Sequence, residues 1–270
     1  MKVTIVVDNI EHAGIPGEWG FCAYIEQNGK KLLLDTGASN LFAENAEKLN
    51  IDLKNIDFAV LSHAHYDHAN GMGKFFEINE KAPFYLQEGC GENCYFKKGF
   101  VRKYIGIPKG ITKRYQDRIK YVSGICPIAE GIYLVSHSTP HLEQIGKKEM
   151  MYQKTKLGWK PDNFCHEQSL VLDTDSGLVI FNSCSHGGVV NIINEVKAAF
   201  PNKKITALIG GFHIFNHPEE EIRELAKLIK ETGIERIYTG HCSKERGYRI
   251  LREELGDMAG QFYVGMELEF

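Results

Sequence analysis

The chain has 270 residues, of which 43% are hydrophobic and 25% charged, and its 32 Lys and Arg against 35 Asp and Glu leave a net charge of −3. That length supports a sizeable core, the acidic balance argues against a nucleic-acid binder, and no apolar run approaches the ~20 residues of a membrane span. The opening Met1-Lys2-Val3-Thr4-Ile5-Val6-Val7 reaches Asp8 too early for a signal-peptide core, so a cytoplasmic protein is expected.

In chain order, apolar and alternating runs predict strands over 2–7, 21–26 and 30–34, with Asn28-Gly29 as a hairpin turn. A helix is expected over 40–49. A buried strand over 58–61 then runs out into His63-Ala64-His65-Tyr66-Asp67-His68. Four metal-binding side chains at this spacing can hardly serve one tetrahedral ion. His63 and His65, at alternate positions, close on one ion, while Asp67 and His68, displaced around the turn, face a second. Two cations held together can activate a water and clamp an anionic group.

Beyond the cluster, helices are expected over 69–77, 188–199, 218–231 and 246–254, and strands over 83–86, 119–122, 131–135, 168–173, 178–182, 205–209 and 234–239. Pro218 followed by Glu219, Glu220 and Glu221 marks a helix start, with acids on the positive end of the dipole. Segments 88–118 and 139–166 show little periodicity and read as lid or binding loops. They are also basic: residues 97–120 hold nine Lys or Arg against Asp117, and 147–160 hold five Lys against Glu149. Tyr95, Phe96, Phe100, Tyr104, Tyr115, Tyr152 and Trp159 lie among these cations. The combination suits an anionic, ring-bearing small molecule, or equally two solvated loops.

The seven cysteines, an odd number without a secretion signal, argue for free thiols. Cys90 and Cys94 form a lone CxxxC, which reads as loop cysteines more readily than as a zinc site. The strand over 178–182 exits into Ser183-Cys184-Ser185-His186, that over 205–209 into Gly210-Gly211-Phe212-His213, and that over 234–239 into Gly240-His241. The glycines let the backbone come close. The expected sets are His63, His65 and His186 for one ion and Asp67, His68 and His241 for the other. His213 is expected to orient a ligand or touch substrate. Asp35, ending the strand over 30–34, is placed to accept a ring N–H and fix a ligand histidine. For His137, His141 and His166, substrate contact and plain solvation stay open. His12 and His217 read as surface residues.

Asp35-Thr36-Gly37 after a strand, the HxHxDH run, the later strand-end histidines and Gly240-His241 together resemble the metallo-β-lactamase superfamily. The finer features Leu61-Ser62-His63, Asn182-Ser183-Cys184-Ser185-His186, Gly210-Gly211-Phe212-His213 and Gly240-His241-Cys242 are similar to the branch of 7,8-dihydropterin-6-yl-methyl-4-(β-D-ribofuranosyl)aminobenzene 5′-phosphate synthases and related metal-dependent hydrolases. The resemblance covers essentially the whole chain. It implies one α/β domain over 1–270, an αβ/βα four-layer sandwich of two mixed sheets with helices outside and a dinuclear site at one edge. It implies two divalent metal ions, Zn first, with Mn or Fe as alternatives. The implied activity is hydrolysis of a phosphoester or anhydride, or a pyrophosphate-releasing transfer, with Asp67 as both ligand and base. Where much of the superfamily has a bridging Asp, this chain has Cys184, which is open to bridging or to simple packing. Where the family often carries an acidic pair, it has His166-Glu167, leaving Glu167 as a polar contact. Two alternative functions stand beside this one: a di-iron redox enzyme reducing oxygen or nitric oxide, and a non-catalytic, metal-stabilised module for an anionic ligand.

Overall fold

The computed structural model describes residues 1–270. Two seven-stranded mixed sheets carry the architecture. The first runs in hydrogen-bonded order Glu267–Glu269, Lys2–Val7, Cys22–Gln27, Lys30–Leu34, Phe58–Val60, Phe84–Gln87 and Ile119–Val122. The second runs Ala259–Gln261, Arg236–Thr239, Ile205–Ile209, Gly177–Phe181, Gln168–Thr174, Ile132–Ser136 and Ile125–Ala129. Each sheet joins antiparallel strands to a parallel run reached through helical crossovers.

One apolar cluster lies between the sheets, where Val3, Ile25, Leu32 and Val60 meet Leu134, Leu170, Phe181 and Ile209. The outer face of the first sheet packs on the helices Leu41–Lys48 and Met72–Ile78 through Phe42, Ala46, Met72 and Phe75. The outer face of the second packs on Val189–Ala199, Glu219–Glu231 and Lys244–Leu255 through Ile192, Val196, Ile222 and Ile250. Burial on both faces explains why the parallel strands read as continuous apolar runs. The layers are helix, sheet, sheet, helix, the αβ/βα four-layer sandwich that the resemblance implies.

Two expectations need correction. The segments read as irregular loops pair with each other into a third, antiparallel sheet, ordered Gly158–Pro161, Met151–Thr155, Cys94–Lys98 and Val101–Tyr104. Their lysines and aromatics face each other across it: Lys97 Nζ lies 5.0 Å from the Tyr152 ring, and Lys154 Nζ 4.9 Å from the Trp159 ring. Strands this short, with lysines interrupting the alternation, hide their period. The helix expected over 69–77 runs Met72–Ile78, and a separate helical turn over Tyr66–Ala69 precedes it, so Asp67 and His68 sit on helical backbone rather than in an open turn. His65 caps that turn in extended conformation, at φ −109° and ψ 151°.

No helix is long and apolar enough to cross a membrane.

Candidate metal centre

The parallel registers bring the motifs to one edge. Leu34 pairs with Val60 in the first sheet, which places Asp35 beside the start of the histidine cluster. Phe181, Ile209 and Tyr238 are in line across the second sheet, so the three later loops exit together. Gathering of loops at the carboxyl ends of parallel strands is the usual place for a site in such sheets.

Ligand atoms of His63, His65 and His186 lie within 4.8 Å of one another, and all three residues are buried. The Nε2 atoms of His63 and His65 and both ring nitrogens of His186 have no hydrogen-bond partner. Buried polar atoms are rarely left so, and here they cluster. Burial, followed by the neighbouring rings of His68, His65 and His186, holds His63 well below the ordinary histidine value. Burial and His166 bring His65 to about 3. His186 is pushed down likewise, by burial and then by His213 and His65. Neutral imidazoles with free lone pairs are the form that binds a cation.

Beside them lies a second group. His68 Nε2 is 3.2 Å from His241 Nε2 and 3.3 Å from Cys184 Sγ. Asp67 Oδ2 is 3.6 Å from His241 Nε2 and 4.0 Å from His68 Nε2. Tetrahedral zinc with N, O and S donors has ligand-to-ligand edges of about 3.3–3.8 Å, so this donor set fits such an ion. The electrostatics agree. Burial alone would raise Asp67, but the charges of His68 and His241 outweigh it and keep the carboxylate ionised. Burial alone would lower His241, yet hydrogen bonding to Asp67 lifts it to about 9. Without a metal the pair thus shares a proton, which a bound cation would displace.

The supports are explicit. Asp35, fully buried and at φ +60°, takes Ser62 N–H and Ser62 Oγ–H, each at 2.7 Å, and faces His68 Nδ1 at 2.8 Å. Glu167 is fully buried with both oxygens engaged, taking His186 N–H at 2.9 Å and Gly187 N–H at 2.8 Å and contacting His137. His213 packs its ring 4.3 Å from that of His186, with Nε2 3.9 Å from Glu149 Oε2. Ser185, His213 and His241 all adopt positive φ, at 52°, 51° and 45°. Such strained backbone in three converging loops is characteristic of functional sites.

Several supporting residues escaped the sequence reading. Asp8 takes the His241 N–H at 2.7 Å, and Asn9 Oδ1 lies 3.2 Å from His241 Nδ1. Asp8 ends a strand as Asp35 does, and that signal was present. His166 is no solvated or substrate-facing residue: its Nδ1 accepts the Ala64 N–H at 3.1 Å, and Nε2 faces Asp162 Oδ2 at 3.1 Å. It thereby grips the backbone between His63 and His65. His137 is likewise buried, between Glu167 and Glu195.

A cavity of about 350 Å³ opens beside the cluster, lined by His65, Asp67, Cys184, His186 and His213 on one side and by Trp19, Tyr66, Phe96, Lys103 and Phe215 on the other. Lys103 Nζ is 5.8 Å from the Tyr66 ring, and Lys244 Nζ is 5.3 Å and 5.2 Å from the Trp19 and Phe215 rings. Aromatic faces and cations therefore border one opening.

Residues 19–148 match the family model of the metallo-beta-lactamase superfamily. The chain is 28% identical over 268 residues to 7,8-dihydropterin-6-methyl-4-(beta-D-ribofuranosyl)-aminobenzene-5'-phosphate synthase of Methanocaldococcus jannaschii, covering 93% of this chain and 88% of that protein. A solved metal-dependent hydrolase of the beta-lactamase superfamily superposes with a TM-score of 0.85 at 27% identity, covering 100% of this chain and 99% of that one. Zn(2+)-bound PqqB from Methylobacterium extorquens shares the fold at a TM-score of 0.61 and 12% identity, over 100% of both chains. Residues 19–148 therefore carry a metallo-beta-lactamase superfamily domain, and the whole chain shares the architecture of a solved member of that superfamily.

Proposed function

We propose that this protein is a two-metal enzyme acting on a small, ring-containing molecule that carries a phosphate or diphosphate. His63, His65 and His186 would hold one ion, and Asp67, His68 and His241, with Cys184 beside them, the other. Bound there, divalent cations lower the pKa of a coordinated water and polarise a phosphoryl oxygen. The observation that supports this most strongly is the cluster of buried imidazole nitrogens without partners at one sheet edge.

The chain's own groups supply the rest. Asp67 is slightly open to the cavity, and its carboxylate is the acceptor for the proton of the attacking group. Asp35 fixes the ring of His68 and, through Ser62, that of His63, whose Nδ1 lies 2.9 Å from Ser62 Oγ. Lys103 and Lys244 neutralise the anionic end of the substrate, while Trp19, Tyr66 and Phe215 receive its ring. The product named for the Methanocaldococcus jannaschii relative contains a pterin, an aminobenzene and a phosphate, a combination of rings and phosphate that matches this lining.

The test uses purified protein stripped of metal and reloaded with Zn²⁺ or Mn²⁺, assayed on bis(p-nitrophenyl) phosphate and on aryl-methyl diphosphates with and without an amine acceptor. Metal-dependent release of p-nitrophenol or diphosphate is expected, and its loss in Asp67→Ala at unchanged metal content. Full metal occupancy with no turnover of any ester or anhydride would instead favour the binding-module reading.

A further inference from the structure

The third sheet presents two unlike faces. Cys94, Phe96, Met151 and Gln153 alternate onto the inner one, where Phe96 and Met151 pack on the core and line the cavity. Tyr95, Lys97, Arg102, Tyr152, Lys154 and Trp159 alternate onto the outer one, since the register pairs Tyr152 with Tyr95, Lys97 with Arg102, and Lys154 with Trp159. Three cations crowd one indole there. Lys97 Nζ, Lys154 Nζ and the Arg102 guanidinium stand 6.0, 4.9 and 5.2 Å from the Trp159 ring. None of the three has a carboxylate within 4.0 Å, whereas Lys148, Lys203 and Arg223 elsewhere pair with one at 3.0, 2.9 and 2.6 Å.

Each hairpin of this sheet ends in a fully exposed apolar side chain. Gly99-Phe100 closes the turn between Lys98 and Val101, and Lys156-Leu157 the turn between Thr155 and Gly158. Phe100 and Leu157 lie wholly in solvent, and Val101 beside Phe100 is largely exposed. Two-residue turns ask for Gly, Asn or Asp, so neither Phe100 nor Leu157 serves its turn. Met151–Thr155 runs antiparallel to Cys94–Lys98, which puts the two tips at opposite ends of the sheet. They bracket the cationic, aromatic face between them.

Charge narrows the partner. Residues 97–120 and 147–160 hold 14 of the 32 Lys and Arg but only two of the 35 Asp and Glu, so this region is basic on an otherwise acidic body. A second copy of the chain offering the same face is opposed by like charge. Single-stranded nucleic acid needs bare rings on which its bases stack, but the Trp159 and Tyr152 rings already carry the protein's own cations, and Leu157 gains no role. A lipid surface uses every feature: cations at phosphate headgroups, Trp and Tyr at interfacial depth, and apolar tips at the acyl boundary. We infer that the outer face of the third sheet docks the protein on an anionic phospholipid surface, with Phe100 and Leu157 inserted. The inference does not depend on the metal chemistry. Because Phe96, Lys103 and Met151 of the same sheet line the cavity, docking holds the candidate active site at the lipid surface.

Co-sedimentation of the full chain with vesicles tests this. Vesicles of phosphatidylcholine with about 30% phosphatidylglycerol should bind the protein, those of phosphatidylcholine alone should not, and raising salt from ~0.1 to ~0.5 M should weaken the binding. Phe100→Ser and Leu157→Ser should each weaken it about 10-fold, the loss expected for one inserted apolar side chain. Both positions are fully exposed, so the variants keep the fold, which circular dichroism checks. Emission of the Leu157→Trp protein should be quenched by lipids brominated on the acyl chains, beyond any quenching of the wild type. No sedimentation with anionic vesicles, equal binding to neutral and anionic ones, or full binding by the double Phe100→Ser and Leu157→Ser variant would each overturn the docking. Tight binding of a single-stranded RNA oligomer without vesicle binding would overturn it too, and would assign the face to nucleic acid.

Discussion

Asp8 Oδ1 accepts the backbone N–H of His241 at 2.7 Å, joining residues 233 positions apart. Asp8 follows the strand Lys2–Val7 of the first sheet, and His241 follows Arg236–Thr239 of the second. The bond therefore closes the seam between the sheets at the edge where the histidines gather. Asn9 completes the grip: its Nδ2 donates to His241 O at 2.9 Å, while its Oδ1 faces Nδ1 of the same ring. That contact turns His241 Nε2 towards His68 and Asp67. Burial raises the Asp8 pKa, so holding this carboxylate here has a cost that the His241 and Ile10 amides offset.

Asp8→Ala should free the His241 loop without touching any proposed ligand. Zn²⁺ affinity should fall by about 10- to 100-fold, the range for lost outer-shell partners. Isothermal titration of the metal-stripped variant checks this. An affinity equal to wild type would show that the loop is held by other means.

Asp35→Asn keeps the shape of a carboxylate that faces three donors but replaces one oxygen with an NH₂ group, leaving a donor opposed to a donor. We expect a loss of about 1–3 kcal/mol in stability for the unmet group, and weaker metal binding because His68 loses its orienting partner. Denaturant unfolding of the metal-free protein isolates the first effect and metal titration the second. A variant that binds Zn²⁺ as tightly as wild type would remove Asp35 from the positioning role.

Much of the fold could be read in the sequence because its signals are local. HxHxDH needs only six residues, and the strand exits at His186 and His241 are marked by apolar runs ending in glycine or serine. What was hidden depends on register. Nothing near Cys94–Lys98 says that it pairs with Met151–Thr155, because both strands interleave lysines and aromatics on a half-exposed surface. His166 looks like any polar loop residue until the fold places Ala64 N–H against its Nδ1. His137 could not be separated from a solvated histidine because Glu195, its partner, arrives 58 residues later on the helix Val189–Ala199.

Gly210→Ala tests whether close backbone approach shapes the site. Gly210 has φ +155°, and a Cβ there would stand 1.9 Å from Asn182 O. Neither backbone can yield, since Asn182 N–H bonds Ile209 O at 3.1 Å and Gly210 N–H bonds Tyr238 O at 3.0 Å. Overpacking of this kind costs about 1–3 kcal/mol or more, and the displaced strand end carries the His186 loop with it. A lower melting temperature and weaker metal binding are expected together. Wild-type melting behaviour would contradict the tight approach.

His137 gives the fold a pH dependence of calculable sign. Its Nδ1 lies 2.8 Å from Glu195 Oε2, its Nε2 contacts Glu167, and the side chain is 6% exposed. Burial by itself would lower its pKa, but Glu167 and then Glu195 outweigh that and raise it from 6.5 to about 10. A pKa higher in the folded state means that the folded protein holds the proton more tightly. The stabilisation is therefore complete below pH 6.5 and drains away as pH rises through about 10. Unfolding free energy, measured by denaturant titration from pH 6 to pH 10, should decline across that window at up to about 1.4 kcal/mol per pH unit. His137→Gln leaves two buried carboxylates without their cation, so it should lose about 3–5 kcal/mol at pH 6 and flatten the slope. A variant that keeps the wild-type slope would mean that another group titrates there, and that the His137 bridge does not hold the His186 loop in the way its contacts indicate.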